Sequence, residues 1–237
     1  MSNDNAEIDT TFDFRTDSTE PDPDKGSPTL QRYHRILWSK SLPIGGELRL
    51  SEARSGRARV LRADLPDRGP VLFSSDTLAN SNKRPMRIYY DAMGEESNTH
   101  FHRYGGSIGG RLISPSERID GGPTINQRRG THPRLSDRFD LALECIRRHY
   151  SGEESPIGDD LDRYSWFFDL FVNFDGYVDF FLLQDLLNDR GEVMFYLPFV
   201  SFEGRALPGN FDEYERFRAA QIDFVVARNH RIVAATQ

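Results

Sequence analysis

Two adjacent guanidiniums are the first residues whose types could do chemistry. Arg128 and Arg129 stand in the run Thr124-Ile125-Asn126-Gln127-Arg128-Arg129-Gly130. Arginine grips a phosphate or carboxylate through a bidentate fork, and Asn126 adds an amide donor beside them. Glycines at 121, 122 and 130 suit a flexible or tightly turning loop. Asn126, Arg128 and Arg129 are therefore the candidate ligand-binding set, for a nucleotide-like or phosphorylated anion. Ordinary ion pairing is the more economical reading in an arginine-rich chain. His34, Asp137 and Asp140 are the candidate catalytic set. His34 would be a general acid or base, against the commoner packed histidine. Asp137, Asp140 and Glu144 sit at the start of a helix expected from Ser136, beside the arginine loop. They could serve as acid–base or metal groups, or simply form a salt-bridged face, with Asp137 favouring the helix dipole.

Other chemistry is thinner. His100 and His102 would share a face if their segment were a strand, the spacing of a two-histidine metal site. The sequence fixes no third ligand, so no metal is assigned and no cofactor is named. Asp175 and Asp179 share an expected helix face with Leu182 and Leu186, which makes a buried carboxylate or an arginine partner of Asp179. Cys145 reads as an inert core thiol. Ser74-Ser75-Asp76 lacks the Gly-x-Ser-x-Gly elbow, and the glycine-rich run Tyr104–Gly110 fits neither a Walker nor a Rossmann spacing.

These residues must be held by elements, and the patterning predicts an α+β fold. Pro28 opens a helix through Leu30, Tyr33 and Leu37. Strand-like pieces follow at Glu47–Leu50, Ala58–Leu61, Val71–Phe73 and Gly109–Ser114, each punctuated by glycine or proline. Residues 79–106 show no clear period. Phe139, Leu143, Ile146 and Tyr150 recur at helical spacing. A second helix is expected over 161–172, a third from Asp175 to Asn188, then a strand Val193–Leu197. Asn210 with Glu213 forms a capping-box pattern opening a last helix to about Val233. Thirteen of the 28 aromatics fall between Tyr164 and Phe202, which marks the hydrophobic centre.

Several long phrases carry a resemblance: Phe12-Asp13-Phe14-Arg15-Thr16-Asp17, Ser27-Pro28-Thr29-Leu30, Arg32-Tyr33-His34 leading to Leu37-Trp38-Ser39-Lys40, Thr124-Ile125-Asn126 with Arg129-Gly130, Asp137-Arg138-Phe139-Asp140-Leu141 into Glu144-Cys145-Ile146-Arg147-Arg148, and Gly176–Leu183. Together they resemble a bacterial family catalogued only as a domain of unknown function, over about residues 10–235. The resemblance implies a bacterial cytosolic origin and one domain, and it brings no catalytic set.

Length and charge bound the rest. The 237 residues suffice for a sizeable core. The single cysteine excludes an internal disulfide and a cysteine zinc cage. No apolar run is long enough to span a bilayer, and the acidic start has no signal-peptide pattern, so a cytoplasmic protein is expected. Residues 1–24 hold eight acids against Arg15, which accounts for the whole net charge of −7. The neutral remainder offers no field for a nucleic-acid partner. The expectation is a flexible acidic leader over 1–9 and one domain over 10–237, its β-rich N-terminal half packed on an aromatic helical C-terminal half. Two functions compete: an enzyme or sensor for an anionic small molecule, and a non-catalytic interaction protein of a bacterial defence or toxin–antitoxin system. The second needs an exposed aromatic belt at Trp166, Phe167 and Phe202 to meet a protein partner.

Overall fold

The computed structural model describes residues 7–66 and 68–237. A short helix α1 (Pro23–Gly26) leads into α2 (Pro28–Trp38). Ser27 caps α2 by accepting from the Leu30 N–H at 3.1 Å, with Pro28 at the first helical position as expected. Four antiparallel strands follow in the order β1 (Ser51–Ser55), β2 (Ala58–Leu65), β3 (Gly69–Thr77) and β4 (Arg111–Pro115). The long connection from β3 to β4 contains α3 (Arg87–Ala92) and α4 (Gly94–Gly105). The second half is helical: α5 (Ile125–Thr131), α6 (Phe139–Ser151), α7 (Gly158–Asp162), α8 (Ser165–Asp169), α9 (Phe174–Phe181) and α10 (Phe211–Thr236). The expected α+β architecture in one domain is what the chain adopts.

Strand alternation decides which side chains meet which layer. Leu61 and Ala63 of β2 pair with Phe73 and Val71 of β3, so one face of the sheet is apolar and buried. Ser75 and Thr77 continue along that face toward α1 and α2, while Asp76 points to the opposite side. The aromatic belt closes the core beneath. Phe167, Phe171, Tyr177, Phe180 and Phe181 meet in edge-on and tilted ring pairs, and Trp38 meets Phe181 at a centroid distance of 5.3 Å.

Several expected elements are corrected. Residues 124–130 are not a loop: Thr124 and Gln127 form a complete capping box and α5 follows. The helix expected from Ser136 starts at Phe139, because Ser136 and Asp137 both adopt positive φ, so Asp137 lies outside it. The helix over 161–172 is split into α7 and α8. The third helix stops at Phe181, where Leu182 turns left-handed, and Asp175 and Asp179 are exposed. Glu47–Leu50 and Val193–Leu197 find no strand to pair with and make only single bridges, Ser41 with Glu47 and Leu187 with Val193. The leader also ends earlier than expected. Ile8 is buried in the core and the Asp9 N–H donates to the Tyr33 hydroxyl at 3.0 Å; residues 1–6 lie outside the described residues.

Candidate functional site

The end of the β3–β4 ladder carries an unusual density of buried charge. Thr77 and Arg111 are register partners, so their side chains stand together on one face. Arg111, only 7% exposed, donates from Nη1 to both oxygens of Asp24 at 2.8 Å and also to the Thr77 hydroxyl. Asp24 reaches that point because α1 tucks against the sheet. A side chain at Gly26 would collide with the Ser18 hydroxyl and with the Glu20 N–H at 2.5 Å, so glycine lets the chain at 18–20 pack against the end of α1. Ser75 donates to Asp24 at 2.7 Å and accepts from His34 Nε2 at 3.0 Å. The Trp38 indole donates to His34 Nδ1 at 3.1 Å, which fixes the tautomer with the proton on Nε2.

On the opposite face a second network forms. Arg129 is buried and donates to Asp76 and Asp137 at 3.0 Å each and to the Thr77 carbonyl at 2.6 Å. Asp137 also holds Lys83 at 3.1 Å and accepts from the Asn80 amide at 2.8 Å. Burial pushes Asp76 up to about 7, against the pull of Arg129.

Between these networks opens a cavity of about 330 Å³. Its polar lining comes from four segments: Asp13 and Arg15 ahead of α1, Thr77, Asn80, Ser81 and Asn82 at the end of β3, His102 of α4, and Arg111. Phe14, Pro23, Ala79 and Phe101 supply apolar wall. Arg15 forks onto Asp13 at 2.6–3.0 Å, and this pairing holds the Asp13 carboxyl below its usual range, with the nearby Arg111 adding to it. His102 meets the Tyr90 hydroxyl through Nε2 at 2.8 Å. Burial, then Arg15 and Arg218, lower its pKa, so its ring is neutral at pH 7.

Two buried atoms in this lining have no partner among the described residues. One is the hydroxyl of Ser81, 1% exposed. The other is Arg111 Nε, and Arg111 Nη2 likewise makes no hydrogen bond there. Buried donors left unmatched are costly, and the side edge of a guanidinium is the fork that takes a carboxylate or phosphate.

Of the residues singled out from the sequence, His102 lines this cavity, whereas His34, Asn126, Arg128, Arg129, Asp137 and Asp140 do not. His34 is entirely buried with both nitrogens engaged, and burial pushes its pKa down to about 3, so its ring is neutral. Asp140 is buried in a pair with Arg138 and accepts from the Tyr196 N–H at 2.9 Å. Asp137 holds the wall residue Asn80. Arg128 and Arg129 do not converge: Arg128 pairs with Asp160 at 2.5 Å, a carboxylate shared with Arg163. Asn126 is half-buried and does not line the cavity. His100 and His102 lie on a helix, where a two-residue spacing separates their faces. Among the described residues no group of three His, Cys, Asp or Glu could hold a metal. Burial pushes the Cys145 thiol up to about 12, as befits an inert core thiol.

Sequence reasoning missed Arg111, Asn80 and Ser81 as site residues. Asp13 and Arg15 were visible only as part of a family phrase. The available signal was an arginine opening a strand just after a glycine-rich turn.

A model of a family of unknown function (DUF6994) matches residues 8–232, and the chain belongs to that family. No curated protein and no solved structure matches it.

Proposed function

We propose that this member of a family of unknown function is a bacterial, cytoplasmic protein, an enzyme or a sensor, that binds an anionic small molecule in the cavity at Arg111. The observation that carries this reading is the unpaired Nε–Nη2 edge of a buried arginine in a cavity of metabolite size. Asp24 holds the other end of the guanidinium, which presets the fork and limits the ordering cost of binding. Ser81 and the free nitrogen of neutral His102 would meet further polar atoms of the ligand. The anion moves from the expected Arg128–Arg129 pair to Arg111 because the first two lie outside the cavity with Nε and Nη2 already on carboxylates, whereas Asp24 takes only Nη1 of Arg111.

The competing interaction reading needs an exposed aromatic belt. Phe167 and Phe202 are 2% and 7% exposed, and Trp166 is half-buried under the Arg68 guanidinium. No other observation favours it.

The test is to titrate phosphate and acetate while following thermal unfolding, and to record native mass spectra of freshly purified protein. A ligand of the native state raises the melting temperature. The Asp24→Asn, Arg111→Met double variant removes the fork without stranding a buried charge, and it should lose that rise. Equal gains in wild type and variant would indicate general salt stabilisation and would remove the reading.

A further inference from the structure

The cavity's charges are balanced, and that balance narrows the ligand. Its lining holds the cations Arg15 and Arg111 and the anion Asp13, with Asp24 directly behind Arg111. Two positive charges therefore face two negative ones before anything binds. His102 is neutral and adds no third cation. Lys83 is committed to Asp137 and the Gly130 carbonyl on the far side of Asn80. A phosphate dianion entering this set would leave two negative charges uncompensated in a partly dehydrated space. A ligand with one negative and one positive group leaves the balance intact.

Both ends of such a ligand find an unused site. The Arg111 edge can take a carboxylate side-on. The Asp13 side chain is 30% exposed, and its carboxylate accepts only from Arg15, through three N–H groups of which Nε is shared between both oxygens. A carboxylate offers about four acceptor positions, so one is left for an ammonium approaching from the cavity. Phe14, Pro23, Ala79 and Phe101 then face whatever substituent joins the two groups. We propose that the ligand is a free amino acid or a close relative, its carboxylate on the Arg111 fork and its ammonium on Asp13. This inference rests on the cavity reading above and specifies the class of molecule.

The experiment compares matched probes by calorimetry and thermal unfolding on the full chain. Leucine, phenylalanine, glutamate and arginine are each set against the same acid lacking the amine, with phosphate and acetate as simple anions. The expected result is that at least one amino acid binds about tenfold or more tighter than its amine-free counterpart. Asp13→Asn, on a partly exposed segment, should erase that ratio, and because it removes a negative charge from the lining it should not weaken the binding of the amine-free acid. Should the amine-free acids or phosphate bind as well as the amino acids, the zwitterion proposal is overturned and the Arg111 anion site stands. If no probe and no simple anion binds, both fall. An amine advantage that persists in Asp13→Asn would also overturn the assignment, since the ammonium would then be held elsewhere.

Discussion

At the scale of single residues, paired guanidiniums in a sequence do not distinguish a ligand site from a buried strut. Arg129 joins two carboxylates in the interior, Asp76 of β3 and Asp137 between α5 and α6. Arg129→Ala would strand Asp76, with Asp137 left to Lys83 and Asn80, and should cost about 3–5 kcal/mol in urea unfolding. Arg128→Ala should cost about 1 kcal/mol or less, because Arg163 still holds Asp160. Equal, small losses would return both arginines to the role of empty ligand donors. Asp76 and His34 also give the fold opposing pH dependences. Because the folded chain holds the Asp76 proton up to about pH 7, that group's contribution is full below about pH 4 and is lost as pH rises through 7. His34, pushed down to about 3, contributes stability above about 6.5 that is lost as pH falls toward 3. Asp76→Asn removes the first slope and keeps the second. Its melting temperature should therefore climb more steeply between pH 4.5 and 6.5 than that of wild type. Parallel profiles would mean that Asp76 is ionised throughout.

At the scale of elements, what was legible followed from caps and periods. Pro28 after Ser27 and Asn210 before Glu213 mark the starts of α2 and α10, and the Phe139–Tyr150 period gives α6. The Thr124-x-x-Gln127 box was equally available, yet the neighbouring glycines argued for a loop. The Val193–Leu197 run has strand chemistry, but a ladder needs a partner, and none is in reach along the sheet. α10 is read least well on its inner face, where Arg218, Gln221, Arg228 and Asn229 are buried among apolar residues. Arg228 there donates to the carbonyls of Phe181, Gly109 and Arg111 at 2.7–2.9 Å, and Asn229 accepts from the Gly109 N–H. The glycines of the Gly109 turn thus serve packing and not phosphate. A Cβ at Gly109 would lie 2.5 Å from the Val225 carbonyl and the Asn229 side chain. Gly109→Ala should therefore cost about 1–3 kcal/mol or more by overpacking. A neutral result would show that α10 can draw back from β4.

At the scale of the whole molecule, three acids of the N-terminal segment, Asp17, Asp22 and Asp24, are tied into the fold. Asp17 accepts from the Ser27 hydroxyl at 2.5 Å and the Thr29 N–H at 3.0 Å, Asp22 caps α1, and Asp24 pairs with Arg111. Sequence bookkeeping could not see the ties of Asp17 and Asp24, because Ser27, Thr29 and Arg111 lie farther along the chain. The segment from Ile8 onward is thereby both a clamp on the core and a wall of the cavity. Its anchors are Ile8, Phe14 and the Asp9–Tyr33 hydrogen bond. A chain begun at Thr10 loses Ile8 from the core, at about 1.5–3 kcal/mol, and frees the stretch that carries Asp13 and Arg15. It should melt below the full chain. Its gain from a bound anion should also shrink, since the wall must be ordered at the moment of binding. Restoring Ile8 and Asp9 should recover both. If the shortened chain melts lower but responds to anions as the full chain does, the segment stabilises the fold without shaping the site, and the Arg111 fork acts alone.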